Sequence, residues 1–251
     1  MDAALVSGIV FGCVVCGAVL GMVLNIKLPD HHLDGDSKDV VKLVMGLIAT
    51  MAALVLSLLI ASAKTTYDTQ ETEIQHLAAN IVQLDRILVH YGPETEDARA
   101  LLRQTVAIVI QRIWPKAGTA NLEPLPARGG ADAFYDQIQD LSPKTTPQRY
   151  LQSQALQITE GLAETRLLML EQLDSSLSLP FLLILVFWLA ILFLGFGLFA
   201  RLNVTVMTAL LVGALSVSGA LFLILELNQP YRGVMQISGF PLHNALTQIS
   251  R

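Results

Sequence analysis

Apolar residues in this chain gather into four long runs, and a more polar stretch separates the second run from the third. The runs cover residues 3–26, 40–63, 179–200 and 204–227. A helix needs about 20 apolar residues to cross the hydrocarbon core of a bilayer, which is about 30 Å thick. Each run is long enough, so the pattern predicts an all-α membrane protein with four transmembrane helices.

The polar stretch has a helical pattern of its own. Apolar side chains recur there at alternating steps of three and four residues, which is typical of a helix with one buried face. They are Ile74, Leu77, Ile81, Leu84, Leu88 and Tyr91. Gly92 and Pro93 then predict the end of this helix. Further helices are predicted over residues 94–114, 131–141 and 147–177, the last with Thr146 as its N-cap.

We therefore divide the chain into four parts. Residues 1–63 hold the first two membrane helices, and residues 64–178 form a helical domain inserted between the second and third spans. Residues 179–227 hold the last two membrane helices, and residues 228–251 form a C-terminal tail. Because four crossings return the chain to its starting side, both termini and the inserted domain share one side of the membrane.

Basic residues near the span ends bear on the orientation. Those that flank the short loops are Lys27, Lys38, Lys42 and Arg201, whereas Lys64 and Arg232 flank the spans on the other side. Cytoplasmic loops carry an excess of Lys and Arg. The count therefore favours short loops on the cytoplasmic side, by a small margin.

Composition supports a membrane protein and narrows its partners. The chain is 53% hydrophobic and 15% charged, whereas a soluble domain is about 25% charged. The net charge is −5 and the basic residues form no stripe, which argues against nucleic acid as a partner. We expect the lipid bilayer as the main partner and no cofactor.

Few residue clusters suggest chemistry. The best metal ligands lie in the loop "PDHHLDGDSKD": His31, His32, Asp34 and Asp36. Imidazole and carboxylate are ordinary ligands, but the alternative is a solvated loop in which Asp36 or Ser37 caps the second span. Cys13 and Cys16 lie inside an apolar run, so we expect packing rather than redox chemistry. No convergent catalytic set is visible, so an enzyme is the least supported hypothesis.

Small residues predict where helices approach closely, because small side chains let membrane helices pack backbone to backbone. The first span has two pairs, Gly8 with Gly12 and Gly17 with Gly21. In the second span, small and weakly polar residues share one face: Gly46, Thr50, Ala53, Ser57, Ala61 and Lys64. Several copies turning this face inward would line a path, with Lys64 as a ring of positive charge that favours anions. The alternative is a packing stripe, with Lys64 reaching to the interface.

Several stretches carry a resemblance to a known family. They are the opening stretch, "HHLDGDSKDVVKLVMGL", "HYGPET" followed by "ARALLRQTV", "RIWP" and "LELNQPYRGVMQISGFPL". In these the chain resembles the bacterial bestrophin-like membrane proteins, distant relatives of the bestrophin anion channels. The resemblance implies a pentamer in the bacterial inner membrane with four membrane helices, a pore-lining second helix and a cytoplasmic middle domain. By the same resemblance, both termini are cytoplasmic, against the charge count.

The resemblance also implies a Thr-Tyr-Asp corner after the second span, at Thr66, Tyr67 and Asp68. We expect this corner, with Glu226 and Arg232, to play a structural role, Glu226 pairing with Lys64 or Arg232. The chain departs from the family where "TQETE" follows the corner and where the tail has only about 24 residues. Two hypotheses follow: an oligomeric ion channel, most simply for a small anion, or a non-conducting scaffold or accessory subunit with an unidentified protein partner.

Overall fold

The computed structural model of the chain describes residues 2–27, 35–114, 129–174, 179–200, 203–231 and 233–250. Throughout these ranges the regular elements are helices, which confirms the all-α prediction. In chain order they are α1 (Ala3–Lys27), α2 (Gly35–Tyr91), a 3₁₀ turn (Pro93–Thr95), α3 (Glu96–Ile113), α4 (Gly129–Gln139), α5 (Thr146–Asp174), α6 (Leu179–Phe199), α7 (Val204–Leu227) and α8 (Phe240–Ile249).

Four of these helices are long and apolar enough to cross a membrane. They are α1, the first part of α2, α6 and α7, with mean hydropathies of 2.5, 2.6, 2.8 and 2.3 over their most apolar 18 residues. The four apolar runs in the sequence therefore correspond to four helices. A spanning segment has to be helical here, because only a helix satisfies its backbone hydrogen bonds within the segment.

Helix α2 is 57 residues long and continues far beyond its apolar part. Neither glycine nor proline occurs between Gly46 and Gly92, so nothing in the sequence interrupts it. The predicted Thr-Tyr-Asp corner is accordingly part of an unbroken helix. The helix ends where Gly92 adopts a positive φ of 131°, a conformation that glycine adopts most readily. The Thr95 hydroxyl closes this end, at 2.6 Å from the carbonyl oxygen of Leu88.

The chain divides into two compact units. Unit 1 comprises Met1–Tyr67 and Ser176–Gln236, and unit 2 comprises Asp68–Ser175 and Ile237–Arg251. The first division falls within α2, between Tyr67 and Asp68. The final helix, α8, therefore belongs with the middle segment of the chain rather than with the membrane helix that precedes it.

Unit 1 is built on a close approach between α1 and α6. A Cβ atom on Gly17 would lie 2.7 Å from the carbonyl oxygen of Ala190, and one on Gly21 would collide with the carbonyl oxygen of Leu194. Gly197 on α6 faces the carbonyl oxygen of Ala18 in the same way. The pair Gly17 and Gly21 thus marks a close helix contact, as the sequence predicted. Backbones can approach to this distance only where side chains are missing.

The other predicted pair behaves differently, because a Cβ on Gly8 or Gly12 would meet no atom within 4 Å in the part of the chain that the structure describes. Around the α1–α6 contact, a core of apolar side chains gathers from all four membrane helices: Val10, Val14, Ala18, Met45, Ala52, Ala63, Leu185, Leu189, Leu192, Phe193, Ala214, Leu221 and Ile224. At one end of this core the Asn25 amide donates to the carbonyl oxygen of Ala200 at 3.1 Å.

Unit 2 buries the apolar face that the sequence predicted on the polar part of α2. Ile74, Ile81, Leu84, Leu88 and Tyr91 are each at most 4% exposed. The helices of this unit are joined by polar contacts as well as by apolar packing. The Arg99 guanidinium on α3 lies 2.8 Å from the Asp85 carboxylate on α2, and this bond raises the pKa of Arg99. Ion pairs of this kind fix the register of neighbouring helices.

Helix α8 is held to α3 at both of its ends. The Trp114 indole N–H donates to the carbonyl oxygen of Ile237 at 2.8 Å, and a Cβ on Gly239 would lie 3.0 Å from the same indole ring. At the other end, the Arg103 guanidinium donates to the carbonyl oxygen of Ile249 at 3.4 Å. Cations near helix C-termini are favourable because the last carbonyl groups there have no intrahelical partner.

The glycine contact predicts a difference between two substitutions on one helix. Gly21→Leu should destabilise the folded protein by about 1–3 kcal/mol or more, because the new side chain overfills the α1–α6 contact. Gly12→Leu on the same helix is the matched control, since a Cβ atom at that position would meet no atom of the described residues within 4 Å. Thermal unfolding in mild detergent measures both. Equal losses of stability in the two variants would contradict the assignment of this contact.

Candidate functional site

The small-residue face of α2 lies on the outer surface of unit 1. Its members Gly46, Thr50, Ala53, Ser57, Ala61 and Lys64 are all exposed. The Thr50 hydroxyl donates to the carbonyl oxygen of Leu47, and the Ser57 hydroxyl to that of Ala53, both at 2.8 Å. The hydroxyl protons are therefore satisfied within the helix, and the oxygen lone pairs remain on the surface. At these two positions the face is therefore weakly polar, and both hydroxyl donors are satisfied.

A different side of the same helix anchors it to the core. Met45, Ala52 and Ala63 are buried there, at 8%, 4% and 1% exposure. The Met45 thioether packs against Gly195 on α6, where a side chain would collide with it. Because the core takes one side of α2, the orientation of the helix is fixed. The small-residue face is thereby directed away from the chain's own core.

A third strip of α2 carries large exposed side chains. Leu43, Leu47, Leu54 and Leu58 are 61–76% exposed. Side chains of this size are left in contact with lipid or with another protein surface, since water does not favour them. The membrane part of α2 thus has a buried strip, a leucine strip and a small, weakly polar strip.

At the end of this helix segment, Lys64 and Tyr67 lie side by side. The Lys64 ammonium is 5.5 Å from the centre of the Tyr67 ring, which is within the range of a cation–π interaction. Thr66 and Tyr67 are half-buried, and Lys64 and Asp68 are exposed. The positive charge therefore sits beside an aromatic ring, next to the small-residue face.

A second polar feature lies at the end of α7. Glu226 is only 6% exposed, and its carboxylate accepts hydrogen bonds from the backbone N–H groups of Val234, at 2.6 Å, and Met235, at 3.2 Å. Just before them, Gly233 has a positive φ of 93°. Successive N–H groups beside such a residue form a small concave anion site, and here the anion is Glu226.

Sequence reasoning identified Glu226 but not these partners. Two partners were expected, Lys64 and Arg232. Arg232 lies outside the described residues, and the Lys64 ammonium lies over the Tyr67 ring. The N–H donors that hold the carboxylate belong to residues that had been assigned no role. The available signal was a glycine seven residues after a buried carboxylate. It is a weak signal, because backbone donors have no sequence signature of their own.

The remaining candidates from the sequence are the possible metal ligands and the two cysteines. His31, His32 and Asp34 lie outside the described residues, as does the side chain of Asp36. Across the ranges that the structure describes, no group of three or more His, Cys, Asp or Glu side chains is arranged to hold a metal ion. Cys13 and Cys16 are free thiols on the exposed surface of α1. We expected them to pack between helices, and within the described part of the chain they do not.

Comparison with known proteins decides the family. A family model described as the Bestrophin-like domain matches residues 12–242. The chain belongs to the bestrophin-like family. Its matched region begins within α1 and ends within α8, so it includes all four apolar helices and the helices between them. A bestrophin-like protein with four such helices is a membrane protein that sits in a lipid bilayer. No curated protein and no solved structure matches the chain.

The three strips of α2 predict a pattern of reactivity in this bestrophin-like protein. If the small-residue face meets water and the leucine strip meets lipid, cysteines at Thr50 and Ser57 in a background without Cys13 and Cys16 should react with a charged thiol reagent about tenfold faster than one at Leu54. A thiol must ionise to react, and it does so in water but not in lipid.

The matched controls are Leu54→Cys on the leucine strip and Ala52→Cys on the buried strip. Reaction rates are measured on protein reconstituted in vesicles. Slow reaction at Thr50 and Ser57, as slow as at the two control positions, would mean that the small-residue face does not contact water.

Proposed function

We propose that this bestrophin-like protein is one subunit of a homo-oligomeric anion channel in which the small-residue face of α2 lines the ion path. The resemblance to bestrophins favours five copies. The observation that carries the proposal is the poor coverage of α2. Only 6% of its most apolar window is buried within the chain, against 33%, 33% and 22% for α1, α6 and α7.

This coverage favours further copies of the chain as neighbours of α2. One side of a lone helix at the edge of a bundle can face lipid, but the exposed strip with Thr50 and Ser57 carries polar oxygens. Polar groups within a membrane are found mostly on faces that meet other helices or water. Copies arranged around an axis would place that strip at the centre and the leucine strip between subunits or against lipid.

Charge supports an anion as the permeating species. In a closed ring of copies, each Lys64 would contribute one positive charge at the same level of the path. Rings of cationic side chains raise the local concentration of anions and lower that of cations. Thr50 and Ser57 would offer the passing ion a weakly polar wall and no fixed charge. The permeating species is therefore a small inorganic anion, and no enzymatic reaction is part of the proposal.

The proposed location is the bacterial inner membrane, with both termini and the middle helices on the cytoplasmic side. The family resemblance supports this orientation, and the distribution of basic residues in the short loops opposes it. The middle helices, which form unit 2 with α8, would then face the cytoplasm. The cytoplasmic orientation places Lys64 at the inner end of the path.

The first test is the number of copies in the particle. Wild-type protein in mild detergent, measured by native mass spectrometry, should give a single species at five times the mass of the chain. The measurement is repeated in several mild detergents, so that a smaller particle in one of them can be recognised as an assembly disrupted by that detergent. A purely monomeric particle in every mild detergent would contradict the proposal.

The second test is ion selectivity. Lys64→Glu would reverse one charge in each subunit, so the ring should change from favouring anions to favouring cations. Under a salt gradient across a planar bilayer, the reversal potential should shift toward that of the cation. Lys64→Arg preserves the charge and should leave the reversal potential near the wild-type value.

A control substitution elsewhere in the chain distinguishes an effect of the Lys64 ring on the reversal potential from an effect of the protein's net charge. Lys144→Glu makes the same charge change in unit 2, where Lys144 is 78% exposed, and it should shift the reversal potential far less. Absence of current from wild-type protein, together with unreactive positions on α2, would overturn the channel. The non-conducting scaffold or accessory subunit would then take its place.

A further inference from the structure

The loop that follows α7 is folded back against the end of that helix. The backbone first turns, with the N–H of Gln229 at 3.0 Å from the carbonyl oxygen of Glu226. The Glu226 carboxylate then binds the N–H groups of Val234 and Met235. These two residues are therefore held at the level of the last turn of a membrane-spanning helix, although they lie seven and eight residues beyond its end.

Glu226 and Gly233 make this folded-back loop possible. A buried carboxylate is costly unless donors surround it, and the two backbone N–H groups provide them. The conformation of Gly233 directs those N–H groups toward the carboxylate. A Cβ atom on Gly233 would collide with the carboxylate oxygen, and it would lie 2.9 Å from Cδ of Glu226. We call this arrangement of Glu226 and residues 233–235 the carboxylate latch.

The latch presents two apolar side chains on its outer side. Val234 is 82% exposed and Met235 is 40% exposed. The segment 233–238, "GVMQIS", carries no charged residue. One turn before the end of α7, Leu223 is 49% exposed, so the apolar surface of the helix continues close to the latch.

We infer that the carboxylate latch holds Val234 and Met235 in the interfacial layer of the bilayer, as a lipid contact at the end of α7. The occupant of this surface is lipid because the latch fixes its depth at the end of a span whose own surface is apolar. Apolar side chains are favoured at that depth and disfavoured in water. The inference requires only that α7 spans the membrane, so it is independent of ion conduction.

Fluorescence quenching by agents of known depth tests the inference. In the background without Cys13 and Cys16, Val234→Cys carries an environment-sensitive fluorophore in vesicles of phosphatidylcholine and phosphatidylglycerol. Nitroxides on the lipid headgroup or on the upper acyl chain should quench this fluorophore strongly, and aqueous iodide should quench it weakly. Leu215→Cys, within α7 and 66% exposed, is the lipid control, and the exposed Asp97→Cys on α3 is the water control.

A second set of variants tests the carboxylate itself. Adding Glu226→Ala to the Val234→Cys protein should lower lipid quenching at least severalfold and raise iodide quenching, while the fluorophore at Leu215 keeps its wild-type profile. Glu226→Gln keeps the size of the side chain and should have the same effect to a smaller degree. It replaces Glu226→Ala where the latter fails to fold.

The contrary results are distinct. Iodide quenching at Val234 equal to that at Asp97 would place the loop in water, and no quenching by either agent would mean that a second protein surface covers it. Lipid quenching that survives both Glu226 substitutions would show that the carboxylate does not hold the loop. Each of these results overturns the inference, and none of them tests ion conduction.

Discussion

The structure depends on one constraint, which is that backbone polar groups in a bilayer must find their partners within the protein. Four helices satisfy this constraint along their lengths, because backbone N–H groups bond within their own helix. The helices must then be held together without the hydrophobic effect, since lipid is as apolar as the side chains. Gly17, Gly21 and Gly197 meet that demand by letting α1 and α6 approach backbone to backbone. The rest of unit 1 is arranged around this contact.

Within this arrangement, α2 is the helix with the fewest neighbours from its own chain. One strip with Met45, Ala52 and Ala63 is enough to fix its orientation about its axis. The remaining surface divides into a strip of leucines and a strip with the hydroxyls of Thr50 and Ser57. A helix divided in this way has one side for its own core and two sides for other surroundings. That division is the physical basis of the proposed channel, because a path for ions needs a face that the subunit itself leaves uncovered.

The end of α7 presents the opposite situation, in which a charged group is buried and kept within the chain. Glu226 would be costly at a membrane end without donors, and the chain supplies two backbone N–H groups at Val234 and Met235. The glycine that makes this possible, Gly233, has a conformation that other residues rarely adopt. The loop is thereby held against the end of α7. The same carboxylate thus determines both the path of the backbone and the position of two apolar side chains.

Much of the fold follows from the sequence alone, because hydrophobic pattern and helix length are local properties. The four spans and the buried face from Ile74 to Tyr91 follow from the spacing of apolar residues. The corner expected at Thr66, Tyr67 and Asp68 is instead part of the continuous helix α2, although the absence of glycine and proline between Gly46 and Gly92 is consistent with that continuity. Short sequence stretches such as "HYGPET" likewise indicated the bestrophin-like family, and the match to the family model confirms it.

Only the tertiary structure decided which of the two glycine pairs in α1 forms a close helix contact. Gly8 with Gly12 and Gly17 with Gly21 have the same spacing, yet only the second pair meets α6, because contact depends on how the partner helix crosses. The partners of Glu226 could not be found from side-chain types, since backbone N–H groups occur at nearly every residue. The position of the small-residue face of α2 on the outer surface was equally undetermined. A stripe of small residues is suited to packing or to lining, and its environment depends on the surrounding helices.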